Sequence, residues 1–190
     1  MRFEEPINNY LHLLQNTLNS INGTEIEVFL GVLLTAYEQG ATIFIFGNGG
    51  SAATASHIAT DLNKGISYGL EKRFRAMALT DNFSTVSAYS NDTSYDDVFI
   101  EQMKNFIRDN DIAIGISGSG NSKNVIRAIE YANACGNTTV GITGYDGGML
   151  RKIAKHSVNA NINDMQVSED IHMILGHLTM KVLSSFIRSR

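Results

Sequence analysis

Apolar positions along the chain change period several times, and each change predicts an element. Ile7, Tyr10, Leu11, Leu14, Leu18 and Ile21 recur at helical spacing, which predicts a helix over 7–21. Thr24 followed by Glu27 has the form of a capping box. From there Val28, Leu30, Val32, Leu33 and Tyr37 carry a second helix to Gly40, read as its C-terminal stop. The period then collapses into an unbroken apolar run, Thr42–Phe46, which reads as a buried strand, and a helix follows from Ser51 to about Asn63. The same alternation recurs downstream. Phe74–Leu79, Ile112–Ile116, Thr138–Ile142 and Ser157–Ile162 read as strands. Helices are expected over Thr85–Tyr89, Asp97–Ile107, Lys123–Cys135, Met149–Ala154 and Val167–Arg188. Strands alternating with helices predict an α/β fold, a doubly wound parallel sheet between two helical layers. Ligands of such sheets bind beyond the carboxyl ends of the strands.

Three of those ends are rich in small polar residues. The run Ile43–Phe46 stops in Gly47-Asn48-Gly49-Gly50-Ser51, and a helix of small residues starts at once. A helix start leaves backbone N–H groups unpaired at the positive end of the dipole, which suits a phosphate. The turn has no lysine for a GxxxxGK[ST] loop and lacks GxGxxG spacing, so both nucleotide-loop readings weaken. The second turn, Ser117-Gly118-Ser119-Gly120-Asn121-Ser122, offers hydroxyls and N–H groups that hold an anion without a cation. One such turn is as readily a set of plain helix caps; two in one small sheet favour a phosphate ligand. The third is Thr143-Gly144-Tyr145-Asp146-Gly147-Gly148.

His57 and Asp61, four apart, share a helix face after the first turn, and Glu169 and His177 lie eight apart on the closing helix. Together they offer nitrogen and oxygen donors for a first-row metal, zinc included. Spacing alone leaves this open, because a His/Asp pair on one helix is commonly a hydrogen-bonded surface or core pair. His172 has the same plain reading.

Composition narrows the class further. The 190 residues suffice for one domain, and 43% hydrophobic with 18% charged residues is ordinary for a globular protein. A net charge of −4 argues against direct nucleic-acid binding. The single cysteine, Cys135, cannot form an internal disulfide and fits a reducing compartment. Met1-Arg2-Phe3-Glu4-Glu5-Pro6 opens no apolar signal segment, and no run of about 18 apolar residues predicts a membrane span. A cytoplasmic protein is expected. No linker is visible, so 1–190 reads as one domain: N-terminal helices over 1–40, a sheet core over 41–166 and a closing helix over 167–190.

The segments GISGSGNSKNVIRAIEYA and GNGGSAATASH, with the third turn and the closing Glu169-Asp170-Ile171-His172…His177, resemble the sugar isomerase (SIS) domain. Within it the chain is similar to phosphoheptose isomerases, the sedoheptulose 7-phosphate isomerase type, over nearly its whole length. The resemblance implies a flavodoxin-like three-layer α/β/α sheet whose N- and C-terminal helices build a homotetramer, with sites at subunit boundaries. It implies a phosphorylated sugar, sedoheptulose 7-phosphate first, as the ligand. Asn48, Gly49, Gly50 and Ser51, then Ser117, Gly118, Ser119 and Ser122, match positions that hold the sugar phosphate, and Asn91 and Asp92 match positions that touch the sugar. His57, Asp61, Glu169 and His177 match zinc ligands. Asp61 and His177 also match the acid–base pair, and Asp61 and Glu169 reach the substrate as well. Two positions depart from the family, which has glutamate at Asp61 and glutamine at Glu169. Aspartate reaches about 1.5 Å less, and Glu169 adds a negative charge that favours a divalent metal. The resemblance also extends to non-catalytic SIS proteins that sense phosphosugars or act as regulatory or replication-initiation adapters, and altered catalytic positions fit that alternative. For an enzyme, the implied setting is heptose supply for lipopolysaccharide, capsule or other surface glycans.

Overall fold

The computed structural model describes residues 2–190. Its centre is a sheet of five parallel strands: β1 (Thr42–Gly47), β2 (Arg75–Ala78), β3 (Ile112–Ser117), β4 (Thr138–Thr143) and β5 (His156–Asn159). Their order is β2-β1-β3-β4-β5, the flavodoxin-like arrangement. Alternate residues of each strand serve opposite faces. On one face Ile43, Ile45, Ile112, Ile114, Ile116, Val140 and Ile142 pack against α2 (Gly23–Gln39), α3 (Gly50–Thr60) and α8 (Met165–Arg188). On the other, Phe44, Phe46 and Ala113 pack against α5 (Ile100–Phe106), α6 (Lys123–Ala134) and α7 (Gly148–Ile153). A third cluster fastens α1 (Glu4–Ser20) to α8: Leu13, Leu14, Leu18 and Ile21 cover Val167 and Ile171. Among the described residues no helix is long and apolar enough to cross a membrane.

Several boundaries move from their expected places, each for a local reason. Helix α2 is capped by Asn22, whose side chain accepts from Thr24 N, so Thr24 is inside the helix. Gly40 ends it in the left-handed conformation as expected, at φ +69°. Helix α4 (Phe83–Asp92) starts at an Asn82 cap and runs past the expected end at Tyr89, so Asn91 and Asp92 form its last residues. The segment expected as a helix from Asp97 is a 3₁₀ turn, Tyr95–Asp97, followed by the shorter α5. Strand β5 stops at Asn159, two residues before Asn161 takes up φ +49°, which a strand cannot carry. Helix α3 widens into a π-helical turn, Asp61–Ile66, with Leu62 and Ile66 turned into the core.

The strand order positions the site. From β1 the chain crosses to β2 at one edge, then returns to place β3 on the other side of β1. The ligand crevice of such a sheet lies where that reversal occurs, outside the carboxyl ends of β1 and β3. Gly47 pairs with Ile116 there, so both small-residue turns leave the sheet side by side.

Candidate active site

Each turn starts a helix whose N-cap residue makes no side-chain hydrogen bond to the helix. The N-cap of α3 is Gly49, which has no side chain to offer, and Ser51 is buried inside the first turn. The N-cap of α6 is Ser122, yet its hydroxyl lies 3.0 Å from that of Ser117 and caps no amide of the helix. Two uncapped helix starts and a pair of hydroxyls therefore converge at the switch point, an arrangement suited to phosphate oxygens.

The third turn props up the second. Gly144 N donates to Gly118 O at 2.8 Å and Leu150 N donates to Gly120 O at 2.9 Å. Asn121 bridges the two turns, accepting from Met149 N at 3.1 Å and donating to Ser119 O at 2.9 Å. Gly120 sits at φ +67° with the Gly147 carbonyl where a Cβ would stand, so both its conformation and its neighbour demand glycine.

Asn48 is held harder than its place in a turn suggests. It exchanges two hydrogen bonds with the buried Asn124 at the start of α6, at 2.9 and 2.8 Å, and accepts a third from the Tyr95 hydroxyl at 2.8 Å. Sequence reasoning did not reach Asn124 or Tyr95; their spacing to Asn48 has no local signature. Asn91 and Asp92 lie a few residues before Tyr95, exposed, with Asn91 donating to the Asp92 carboxylate at 2.8 Å.

The titratable residues gather on the α3–α8 pair. His57 and His177 bring their Nε2 atoms to 2.9 Å, and His57 Nε2 lies 3.4 Å from Asp61 Oδ2. Asp61 follows His57 by one turn of α3 and begins the π-helical turn, a common feature of functional sites. One donor atom from each of His57, Asp61 and His177 falls within 4.8 Å of the others. Asp61 Oδ2 is buried and makes no hydrogen bond among the described residues. An orphaned buried carboxylate oxygen beside two imidazole nitrogens matches the donor set of zinc, so the residues fit a metal.

Glu169 stands elsewhere. Its carboxylate lies where a Cβ on Gly50 would be, at the start of α3, while Ile58 meets Gly176 further along. The two helices thus run side by side in the same direction, with Gly50 and Glu169 at one end and His57 and His177 at the other. Seven residues of α3 separate the ends, about 10 Å of helix. The structure therefore brings His57, Asp61 and His177 together and leaves Glu169 beside the phosphate-type turn of its own chain. His172 is fully buried on the inner side of α8, and neither ring nitrogen has a hydrogen-bond partner among the described residues. Burial pushes its pKa below the usual 6.5, with the nearby Thr143 backbone acting weakly in the other direction.

A switch-point crevice with two cation-free turns, on a sheet of this order, defines an α/β domain suited to a phosphorylated ligand. The chain belongs to the SIS domain family, whose model matches residues 7–144. Within that family it stands with the phosphoheptose isomerases. A probable phosphoheptose isomerase of Thermoplasma volcanium is 33% identical over 95% of this chain and 91% of its own. The phosphoheptose isomerase of Aquifex aeolicus is 36% identical, over 84% of this chain and 83% of its own. The solved structure of the phosphoheptose isomerase of Neisseria gonorrhoeae superposes with a TM-score of 0.88 at 27% identity, covering 96% of this chain and 99% of that one.

Proposed function

We propose that the chain converts sedoheptulose 7-phosphate to glycero-manno-heptose 7-phosphate in the cytoplasm. The observation that carries this reading is the His57–Asp61–His177 cluster on the same helix pair whose start forms an uncapped anion turn. Turnover needs a proton moved from C1 to C2 and another moved from O1 to O2, through an enediol. Asp61 takes the proton from C1 and returns it to C2. His177 carries the hydroxyl proton between the two oxygens. Asn48–Ser51 and Ser117–Ser122 hold the phosphate ester, and that remote anchorage fixes the reacting carbons in register with the base. Asn91 and Asp92 face the sugar hydroxyls. The departure at position 61 supports the same base, because the carboxylate is retained and the π-helical turn begins at it.

His57, Asp61 and His177 hold zinc in this reading. When bound there, zinc polarises the substrate carbonyl and stabilises charge on the enediolate oxygen. Within one chain Glu169 stands at the opposite end of the helix pair, so its ligand role is assigned to a neighbouring copy, in a homotetramer whose sites lie between subunits. The experiment is to incubate purified, zinc-loaded protein with sedoheptulose 7-phosphate beside a phosphoheptose isomerase of known activity. Formation of an aldose heptose phosphate is the expected result. Asp61→Asn and His177→Ala should each lower kcat by about 10²–10⁴-fold, the usual contribution of a positioned acid or base, with the thermal unfolding midpoint retained in zinc-free protein. No product, while the control enzyme turns over, sinks the isomerase reading; one equivalent of zinc per chain supports the metal site.

A further inference from the structure

We infer that Tyr95 is a positioning residue that makes Asn48 a hydrogen-bond donor toward the anion held at the switch point. The inference rests on the phosphosugar reading of that crevice and concerns the state of one amide within it. Asn124 is buried, and its Oδ1 already accepts from Val125 N at 2.9 Å, so its amide cannot turn over without setting two donors face to face. Its reciprocal pair with Asn48 then fixes which end of the Asn48 amide is oxygen. That oxygen has two lone pairs. Asn124 takes one and the Tyr95 hydroxyl takes the other. With both filled, Asn48 has one free polar group left, the second N–H of Nδ2, immediately before the uncapped start of α3.

Tyr95 is held in position to do this. The 3₁₀ turn that carries it is clamped to α6 by the Asp97–Arg127 ion pair at 2.8 Å. The turn is rooted by Val98 and Phe99, both buried in the core on that face. The Tyr95 ring itself is 51% exposed and fills no core position, so its hydroxyl is the part with a consequence. Removing the hydroxyl leaves an acceptor lone pair open beside an anion. A neutral donor thereby becomes a group that is half repulsive, without any change in the fold.

The test is Tyr95→Phe, which keeps the ring and deletes the oxygen. Binding of inorganic phosphate is measured by calorimetry, and KM and kcat are measured with sedoheptulose 7-phosphate. Both the phosphate Kd and KM should rise about fivefold, the usual net effect of one hydrogen bond. The value of kcat should stay within about twofold, because nothing at the reacting carbons changes, a split that general loss of structure would not produce. Asn48→Asp has the same shape and swaps the donor for an acceptor, and it should lose phosphate binding. Unchanged Kd and KM in Tyr95→Phe, or wild-type phosphate binding in Asn48→Asp, overturns the inference. If the wild type binds phosphate and Tyr95→Phe weakens it while no heptose phosphate is isomerised, the isomerase reading falls and the role of Tyr95 stands. A wild type that binds no phosphate overturns both.

Discussion

His172 shows how one side chain records the difference between the folded and unfolded chain. In the native protein its ring is buried without a hydrogen-bond partner among the described residues, and burial disfavours the charged form. In the unfolded chain it titrates near its ordinary 6.5. The native state therefore binds fewer protons below that value, and the contribution of His172 to stability is fully present above about pH 6.5 and is lost as pH falls toward its lower folded pKa. His172→Gln should flatten the fall in denaturant midpoint between about pH 6.5 and 5 relative to the wild type, where one group contributes at most about 1.4 kcal/mol per pH unit. Identical slopes for the two proteins would rule the mechanism out. At this scale the sequence was a partial guide. It marked the residues of both anion turns, since glycine and serine clusters after apolar runs are local signals. It also marked His57 and Asp61, because helical spacing puts them on one face. It had no means of finding Tyr95, whose partner lies 47 residues away, or of assigning Glu169 to the far end of its helix pair.

Elements follow local rules more closely, and their departures come from competition between neighbours. Thr24 and Glu27 form a plausible capping box, yet Asn22 stands two residues earlier and caps better, so α2 starts there. Helix α8 starts likewise at Asp164, whose carboxylate accepts from Val167 N at 2.9 Å. This cap matters more for the site, because α8 carries Glu169 and His177. Asp164→Ala should cost about 1 kcal/mol of unfolding free energy, the typical value for a lost cap, measured by urea titration, with the m-value unchanged. A loss near zero would mean that packing against α1 and the sheet alone sets the start of α8. The π-helical turn after α3 was invisible to periodicity, since an added residue in one turn leaves the apolar pattern of Ile58, Leu62 and Ile66 intact. That turn also lets the Asn63 side chain bond both backbone groups of Ala76, donating at 2.8 Å and accepting at 3.0 Å. The exposed edge of β2 is thereby blunted against pairing with another chain.

At the scale of the whole molecule, the alternation of strands and helices made the α/β class legible, while the strand order was not. Order depends on which side of β1 the returning chain takes, and no local period encodes that; it entered only with the family resemblance. The same limit applies to assembly, where the surface supplies what the period could not. The first half of α1 projects past the body of the molecule, with Phe3, Ile7 and Leu11 exposed at 64%, 55% and 54% and spaced so as to share one face. Tyr10, on a neighbouring face, donates to the Asp170 carboxylate at 2.5 Å and fastens this half of the helix to α8, a bond that pushes the Tyr10 pKa up to about 12. An anchored helix that presents an apolar stripe to water has the character of half an interface. A stripe of this kind fits the proposed homotetramer, in which copies cover one another's α1 and supply Glu169 across the boundary. Ile7→Glu with Leu11→Glu places two charges on the stripe without touching the sheet or the crevice. Light scattering should show the wild type at about four times the chain mass and the double variant at a smaller mass. Far-ultraviolet circular dichroism should be retained, because both altered residues are exposed and belong to no buried cluster of the chain. On the proposed reading the variant should also bind zinc more weakly, since a lone subunit gathers only His57, Asp61 and His177 and the fourth ligand comes from a neighbouring copy. A dissociated variant that holds zinc as tightly as the wild type would separate assembly from the metal site and return the fourth ligand to water or substrate.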